Sequence, residues 1–173
     1  MDSLLTNHLI DRLKANVQVF QSLLANVTDE QGRWKPASDK WSLLEVTCHL
    51  ADEERDDFRR RLDLTLHHPG EPWPAIDPPR WAIERMYNER DLAGSLDDFV
   101  QERLRSVAWL TGLDTVNLEA SAVHPQLGRM TAGMLFTSWL AHDLIHVRQM
   151  TRLHYEYLTR VMSQCSPAYA GDW

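Results

Sequence analysis

Apolar residues recur every three or four positions along four long stretches of this chain, and that spacing is the signature of helices with one buried face. Leu5, Leu9, Leu13, Val17, Phe20 and Leu24 predict a first helix over residues 4–27. It closes in TDEQGRWKPASDK, where Gly32 and Pro36 forbid continuation. A second helix starts at Ser42. That hydroxyl can accept from the amide of Glu45 while the Glu45 carboxylate returns to the amide of Ser42, a reciprocal cap. Its stripe of Val46, His49, Leu50, Phe58 and Leu62 places His49 close to the inward face. A third helix is predicted to start after Ser95, with Asp98 completing another such cap, and to end near Gly112. The fourth runs over residues 131–162, carrying Leu135, Trp139, His142, His146, Gln149, Leu153 and Tyr157. No strand pattern and no internal repeat is visible.

Between the second and third helices lies HHPGEPWPAIDPP, with five prolines and one glycine, too broken for a helix. The Trp73 at its centre favours docking on the protein over free motion, and a short helix is expected over residues 81–89. The expectation is an all-α four-helix bundle with a proline-rich crossover loop, forming a single domain over residues 1–173.

Composition narrows the function classes. A formal charge of −7 argues against a nucleic-acid partner, whose phosphates demand a concentrated basic face. The densest basic cluster, Arg55, Arg59, Arg60 and Arg61, is diluted by Asp52, Glu53, Glu54, Asp56 and Asp57 and reads as a solvated helix face. The N-terminal segment breaks its apolar positions with Asn7, His8, Asp11 and Arg12, which fits neither a signal peptide nor a membrane span. Two cysteines, Cys48 and Cys165, make no disulfide framework, so a reducing, cytoplasmic setting is the simpler expectation.

The chemistry concentrates on three histidines. His142 and His146 stand four apart on the fourth helix, an advance of about 400° that sets both imidazoles on one face. His49 stands on the second helix. Two ligands from one helix and a third from a neighbour can hold a divalent ion and leave coordination positions open. Neutral imidazole suits zinc, nickel, iron or copper. Glu53, four residues after His49, shares its face. It can serve as a general base, as an acceptor for an imidazole N–H, or as a surface partner for Arg85 or another cation. Glu54, Asp56 and Asp57 read as solvated. Asp143, next to His142, points about 100° away and reads as structural, and Cys48 faces away from His49 for the same reason. Of seven tryptophans, Trp34, Trp41, Trp109 and Trp139 read as packing, while Trp73 and Trp81 can wall a pocket. His124, ahead of Pro125 and Gly128, reads as a turn residue, and His67 and His68 as exposed. There is no phosphate loop, nucleophile elbow, Cys-x-x-Cys or His-Glu-x-x-His.

At these residues the chain resembles the DinB-like superfamily of metal-binding four-helix bundles. The matching text is PASDKWSLLEVTCHLADEE, residues 36–54, and GRMTAGMLFTSWLAHDLIHVRQM, residues 128–150. The shared marks are a tryptophan-serine helix start, a histidine-leucine with a nearby acid, and a late helix with histidine-aspartate and a second histidine four residues on. The resemblance implies that His49, His142 and His146 are the ligands of a divalent metal, zinc or nickel. It also implies pairing of the chain into a dimer, for which the surplus apolar residues Leu4, Ile10, Val107 and Trp109 offer a surface.

Three functions fit. The first is a metal-dependent enzyme that transfers a low-molecular-weight thiol to an electrophilic small molecule, as some relatives do. The second is a metal-dependent hydrolase with Glu53 as the base. The third is a non-catalytic module that binds a metal or small ligand.

Overall fold

The computed structural model describes residues 2–171 and 173. Helix α1 spans Asp2–Leu24, and a short α2 (Asp29–Arg33) follows, capped by the Thr28 side chain on the amide of Gln31. Helix α3 (Leu43–Asp52) runs through a π-helical turn, Glu53–Phe58, into α4 (Arg59–His67). After the proline-rich segment come α5 (Pro78–Glu84), a 3₁₀ turn at Tyr87–Glu89 and α6 (Leu92–Thr111). A hairpin of β1 (Ser121–His124) and β2 (Gly128–Thr131) leads into α7 (Ala132–Val161), and a last 3₁₀ turn covers Ala168–Ala170.

The four long pieces, α1, α3–α4, α6 and α7, form the expected four-helix bundle, and pairs of contacting residues give their directions. Phe20 meets Phe99 and the Leu13 carbonyl meets Arg103, so α1 and α6 are antiparallel. Asn16 meets Asp143, and Phe20 shares a core with Met150, so α1 and α7 run parallel. Cys48 meets Ser95 and Glu54 meets Arg103, making α3–α4 parallel to α6. Phe58 stacks on Trp139 and His49 meets His142, making α3–α4 antiparallel to α7. Two consecutive long helices therefore point the same way. The segment between them must return along the bundle, and this is the task of the proline-rich crossover.

The crossover also explains why α3 is buried on every side. One face enters the bundle core with Phe20, Leu24, Phe99 and Met150. The other packs Leu44 and Cys48 under Ala82 and Tyr87. Pro78 and Pro79 do not obstruct α5; they occupy its first two positions, where no amide partner is needed, with Asp77 as its cap.

The reciprocal cap at Ser42 and Glu45 forms as expected, with contacts of 3.1 and 2.9 Å. Helix α7 begins after Thr131, which accepts from the amide of Met134, within a residue of the predicted boundary. Four expectations need correction. Helix α6 starts at Leu92, capped by Asp91 on the amide of Gly94; Ser95 is buried against Cys48 and is no cap. The region expected as one short helix at 81–89 is two pieces broken by Met86, whose φ of 49° is left-handed. The chain does contain strands, a hairpin of four residues on each side, too short to show alternation. Ile10 is buried in the core and offers no surplus surface, while Val107 and Trp109 are half-buried against the same core.

The stripe read as solvated is largely interior. Glu54 and Asp57 are buried, as are Asp52, Glu53 and Arg61; Arg55 and Arg60 remain exposed. The cause is α6. It presents Arg103, itself fully buried, whose guanidinium bonds Glu54 at 2.8 Å and Asp143 at 2.7 and 2.8 Å. Asn16 donates to Asp143 at 2.7 Å and Trp139 donates its indole N–H to Glu54 at 2.6 Å. Buried charge is tolerated where it is paired and hydrogen-bonded, and this cluster ties all four long helices together.

Candidate metal centre

His49 comes from the last turn of α3, and His142 and His146 from adjacent turns of α7. Because α3 and α7 are antiparallel neighbours, His49 meets a pair of imidazoles more than ninety residues further along the chain. Their Nε2 atoms converge: His49 to His142 at 3.1 Å and His146 to His142 at 3.0 Å. Tetrahedral zinc with bonds of 2.0–2.1 Å separates its ligands by about 3.3 Å; these two spacings lie close to that, and all three ligand atoms fall within 4.8 Å of one another. Among the described residues no other group of three histidine, cysteine or acidic side chains converges this way.

The other ring nitrogen fixes the tautomer of His146 and has a facing acceptor in His49. His146 Nδ1 lies 2.8 Å from Gln149 Oε1, which can only accept, so Nδ1 carries the hydrogen and Nε2 presents a lone pair. His49 Nδ1 faces Glu53 Oε1 at 3.6 Å. With that hydrogen on Nδ1, His49 also offers a lone pair at Nε2. His142 has one hydrogen at most for Nε2 and cannot satisfy two lone pairs at once. The cluster is short of positive charge, which is what a cation supplies.

Burial sets the protonation state. It pushes His49 down to about 3 and His142 to about 2, with neighbouring histidines adding to both shifts, and it lowers His146 as well. The three are neutral at ordinary pH, the form that coordinates. Trp41 lies edge-on to His49 with centroids 4.8 Å apart, and Phe58 packs against His142 at 5.1 Å. A cavity of about 390 Å³ is lined by Trp41, which packs on His49, and Gln149, which bonds His146, together with Pro36, Leu153 and Arg152; the three histidines themselves do not line it.

Glu53 is buried and is no partner of Arg85, which instead pairs with Asp52 at 2.6 Å and Asp56 at 2.9 Å. Burial, and then the neighbouring Asp57, pushes the Glu53 carboxyl up to about 9. The two carboxyls share a hydrogen bond, and Asp57 contacts Arg61 at 2.7 Å. His49, Glu53, Asp57 and Arg61 thus form a line at four-residue spacing. Asp143 takes the structural role expected of it. Cys48 is likewise no part of the cluster; it lies 3.3 Å from Ser95 Oγ, and both cysteines are free.

Sequence reasoning reached the three histidines and Glu53 but missed Gln149 as the partner of His146, Asp57 as the partner of Glu53, and the packing of Trp41 and Phe58 on the imidazoles. The spacing of Gln149, one turn after His146, was the available signal; the aromatic contacts cross between elements and left none.

The sequence profile of the DinB superfamily matches residues 12–150. The chain belongs to the DinB superfamily. No curated protein sequence matches it. Among solved structures, this DinB-superfamily chain is similar to YfiT from Bacillus subtilis, described as a probable metal-dependent hydrolase with an unusual four-helix bundle topology. The TM-score is 0.77 at 21% identity, covering 91% of this chain and 87% of YfiT. At that identity the likeness establishes the shared bundle. None of the described helices is long and apolar enough to cross a membrane.

Proposed function

We propose that His49, His142 and His146 hold one divalent metal ion, zinc or nickel, and that the protein is a cytoplasmic, single-domain enzyme transferring a low-molecular-weight thiol to an electrophilic small molecule. The observation that carries the reading is the convergence of three neutral Nε2 atoms at 3.0 and 3.1 Å, with the outer nitrogen of His146 bonded to Gln149 and that of His49 facing Glu53. A divalent ion held there acts as a Lewis acid and lowers the pKa of a thiol or of water. Three uncharged ligands leave its charge undiminished. Gln149 holds His146 from behind as the acceptor of its Nδ1–H, and Glu53 faces Nδ1 of His49 at 3.6 Å as the group that would orient it. Trp41 and Phe58 shield the imidazoles from water, and the cavity bounded by Trp41 and Gln149 receives the substrate.

Thiol transfer is favoured over hydrolysis by the position of Glu53. It faces Nδ1 of His49, on the far side of the ring from the converging nitrogens, and is engaged by Asp57. Adding an ionised thiol to an electrophile requires no protein base, whereas expelling an alcohol or amine requires a proton donor. A hydrolase is the second reading, supported by the description of YfiT.

Metal analysis of the purified protein, followed by assays with zinc or nickel, separates the readings. Consumption of 1-chloro-2,4-dinitrobenzene that requires glutathione or cysteine and is lost in His146→Ala supports the transferase. Cleavage of p-nitrophenyl esters without thiol, equally lost in that variant, supports the hydrolase. Stoichiometric metal with neither activity leaves a binding module.

A further inference from the structure

A second cavity, of about 400 Å³, lies where the proline-rich crossover meets the β-hairpin, lined by Arg61, Trp73, Pro74, Ile76, His124 and Pro125. None of the three histidines of the metal centre lines it. The sequence already marked Trp73 as a residue that docks and His124 as a turn residue. Trp73 packs against the core as expected, while His124 ends β1 and only its side chain serves the turn; together with Arg61 they build something more. Trp73 sits with the Arg61 guanidinium 5.1 Å from its ring and the His124 ring at 5.9 Å.

Three hydrogen-bond donors face no protein acceptor there. The indole Nε1 of Trp73 is buried without a partner, which is costly unless something accepts from it. Arg61 is buried in α4 and donates Nη2 to the Pro74 carbonyl at 3.2 Å, while its Nε lies 2.7 Å from Asp57 Oδ1 out of hydrogen-bond alignment and has no acceptor. His124 accepts at Nδ1 from the amides of Gln126 and Leu127, both at 3.1 Å, so its hydrogen is on Nε2. A guanidinium, an indole N–H and an imidazole N–H around one space, walled by proline and isoleucine, match an anionic head on an apolar body. Arg favours planar carboxylates, to which it can present parallel donors. Asp57 is the acid beside this group, and its contact with Arg61 is an ion pair that leaves the guanidinium donors unaligned with it.

We propose that this cavity binds a small organic carboxylate with an apolar body, held by Arg61, Trp73 Nε1 and His124 Nε2, at a site separate from the metal centre. The inference does not rest on the metal reading, and the test keeps the two apart.

Benzoate is a suitable probe on the full-length protein carrying ¹⁵N-labelled tryptophan side chains. The Trp73 indole resonance, assigned by its loss in Trp73→Phe, should shift saturably with benzoate while the other indoles move little. Calorimetric titration should show Trp73→Phe weakening benzoate by about tenfold or more, the loss expected for a hydrogen bond to a charged group. Benzyl alcohol, which keeps the ring and lacks the charge, should bind at least as weakly to the unmodified protein. His146→Ala should bind benzoate as tightly as the unmodified protein. No shift at Trp73 up to about 10 mM benzoate, a range that covers weak specific binding, would overturn the proposal. So would equal affinity for benzyl alcohol, undiminished affinity in Trp73→Phe, or loss of binding in His146→Ala, which would assign the signal to the metal centre.

Discussion

His49, His142 and His146 are neutral because they are buried, and they are buried because their helices pack face to face. Removing one ligand should therefore cost metal and spare the fold, since the apolar core lies around them in Leu50, Met150, Phe136 and Trp139. His146→Ala is expected to lose the bound ion with its helical circular dichroism intact, read by metal analysis of the same sample. A variant that keeps one ion per chain would remove His146 from the ligand set. Glu53 acts one step further out. Glu53→Ala deletes the group facing His49 Nδ1 and should weaken metal binding by roughly 10–100-fold, the usual effect of losing such an acceptor. Glu53→Gln, which keeps an amide oxygen at the same reach, should lose less. Competition against a chromophoric chelator measures both. Equal affinities across the three proteins would leave Glu53 without an orienting role.

At the scale of elements, the π-helical turn Glu53–Phe58 and the buried arginine on α6 decide how the site is held. A π turn holds one more residue per hydrogen-bonded ring than an α turn, and such turns recur at functional sites. Here it starts one turn after His49 and carries both Glu53 and Phe58, which reach the histidine cluster. The periodicity of apolar residues reads straight through it, which is why it was not legible. Arg103 was illegible for another reason: nothing in LDDFVQERLRSVAWL marks Arg103 off from Arg105 or shows that its partners come from the π-helical turn and α7. Arg103→Met leaves Glu54 and Asp143 buried without their cation. It should destabilise the protein by about 3–5 kcal/mol, as breaking a buried pair does, with a lower urea midpoint as the readout. A loss under about 1 kcal/mol would mean that the two carboxylates find other partners. The cap at Ser42 is more modest, and its loss in Ser42→Ala should cost about 1 kcal/mol.

For the molecule as a whole, the same burial that prepares the site makes the metal-free fold sensitive to acid. In the unfolded chain these histidines take up protons below about 6.5; in the folded chain His49 waits until about 3 and His142 until about 2. Between those limits the unfolded state binds more protons, so stability falls as pH falls, by about 1.4 kcal/mol per pH unit for each such histidine. Glu53, held up at about 9, is protonated in the folded state and ionised in the unfolded state above 4.5, so it opposes that slope with one proton. The histidines outnumber it. Chelator-treated protein should lose urea stability from pH 7 to pH 5, and His142→Leu should flatten the slope by roughly 1 kcal/mol per unit. An unchanged slope would show that the folded state protonates these rings freely. The proposed dimer has its own surface. Among the described residues Leu4 on α1 remains exposed, and α7 leaves Met134, Leu144 and Ile145 outward; apolar residues grouped on the outside of a helix mark a contact. Light scattering should give twice the 20.1 kDa chain mass. The monomer mass at micromolar concentration would dismiss it.

The sequence by itself determined the helices and the ligand candidates. Helix-forming periodicity, the Ser42–Glu45 cap and the four-residue step from His142 to His146 are local, and local spacing is written in the chain. Boundaries slipped only where a competing local signal existed, as when Asp91 and not Ser95 capped α6, or where an element such as the hairpin was too short to show a period. What the tertiary structure decided is which helices are neighbours. The parallel pairing of α3–α4 with α6, forced by the long return of the crossover, turned an apparently solvated row of acids and arginines into the interior. It brought His49 to α7 and gathered Arg61, Trp73 and His124 around one cavity. Burial and pairing between distant segments depend on packing energy summed over the whole fold, and no spacing within one segment records it.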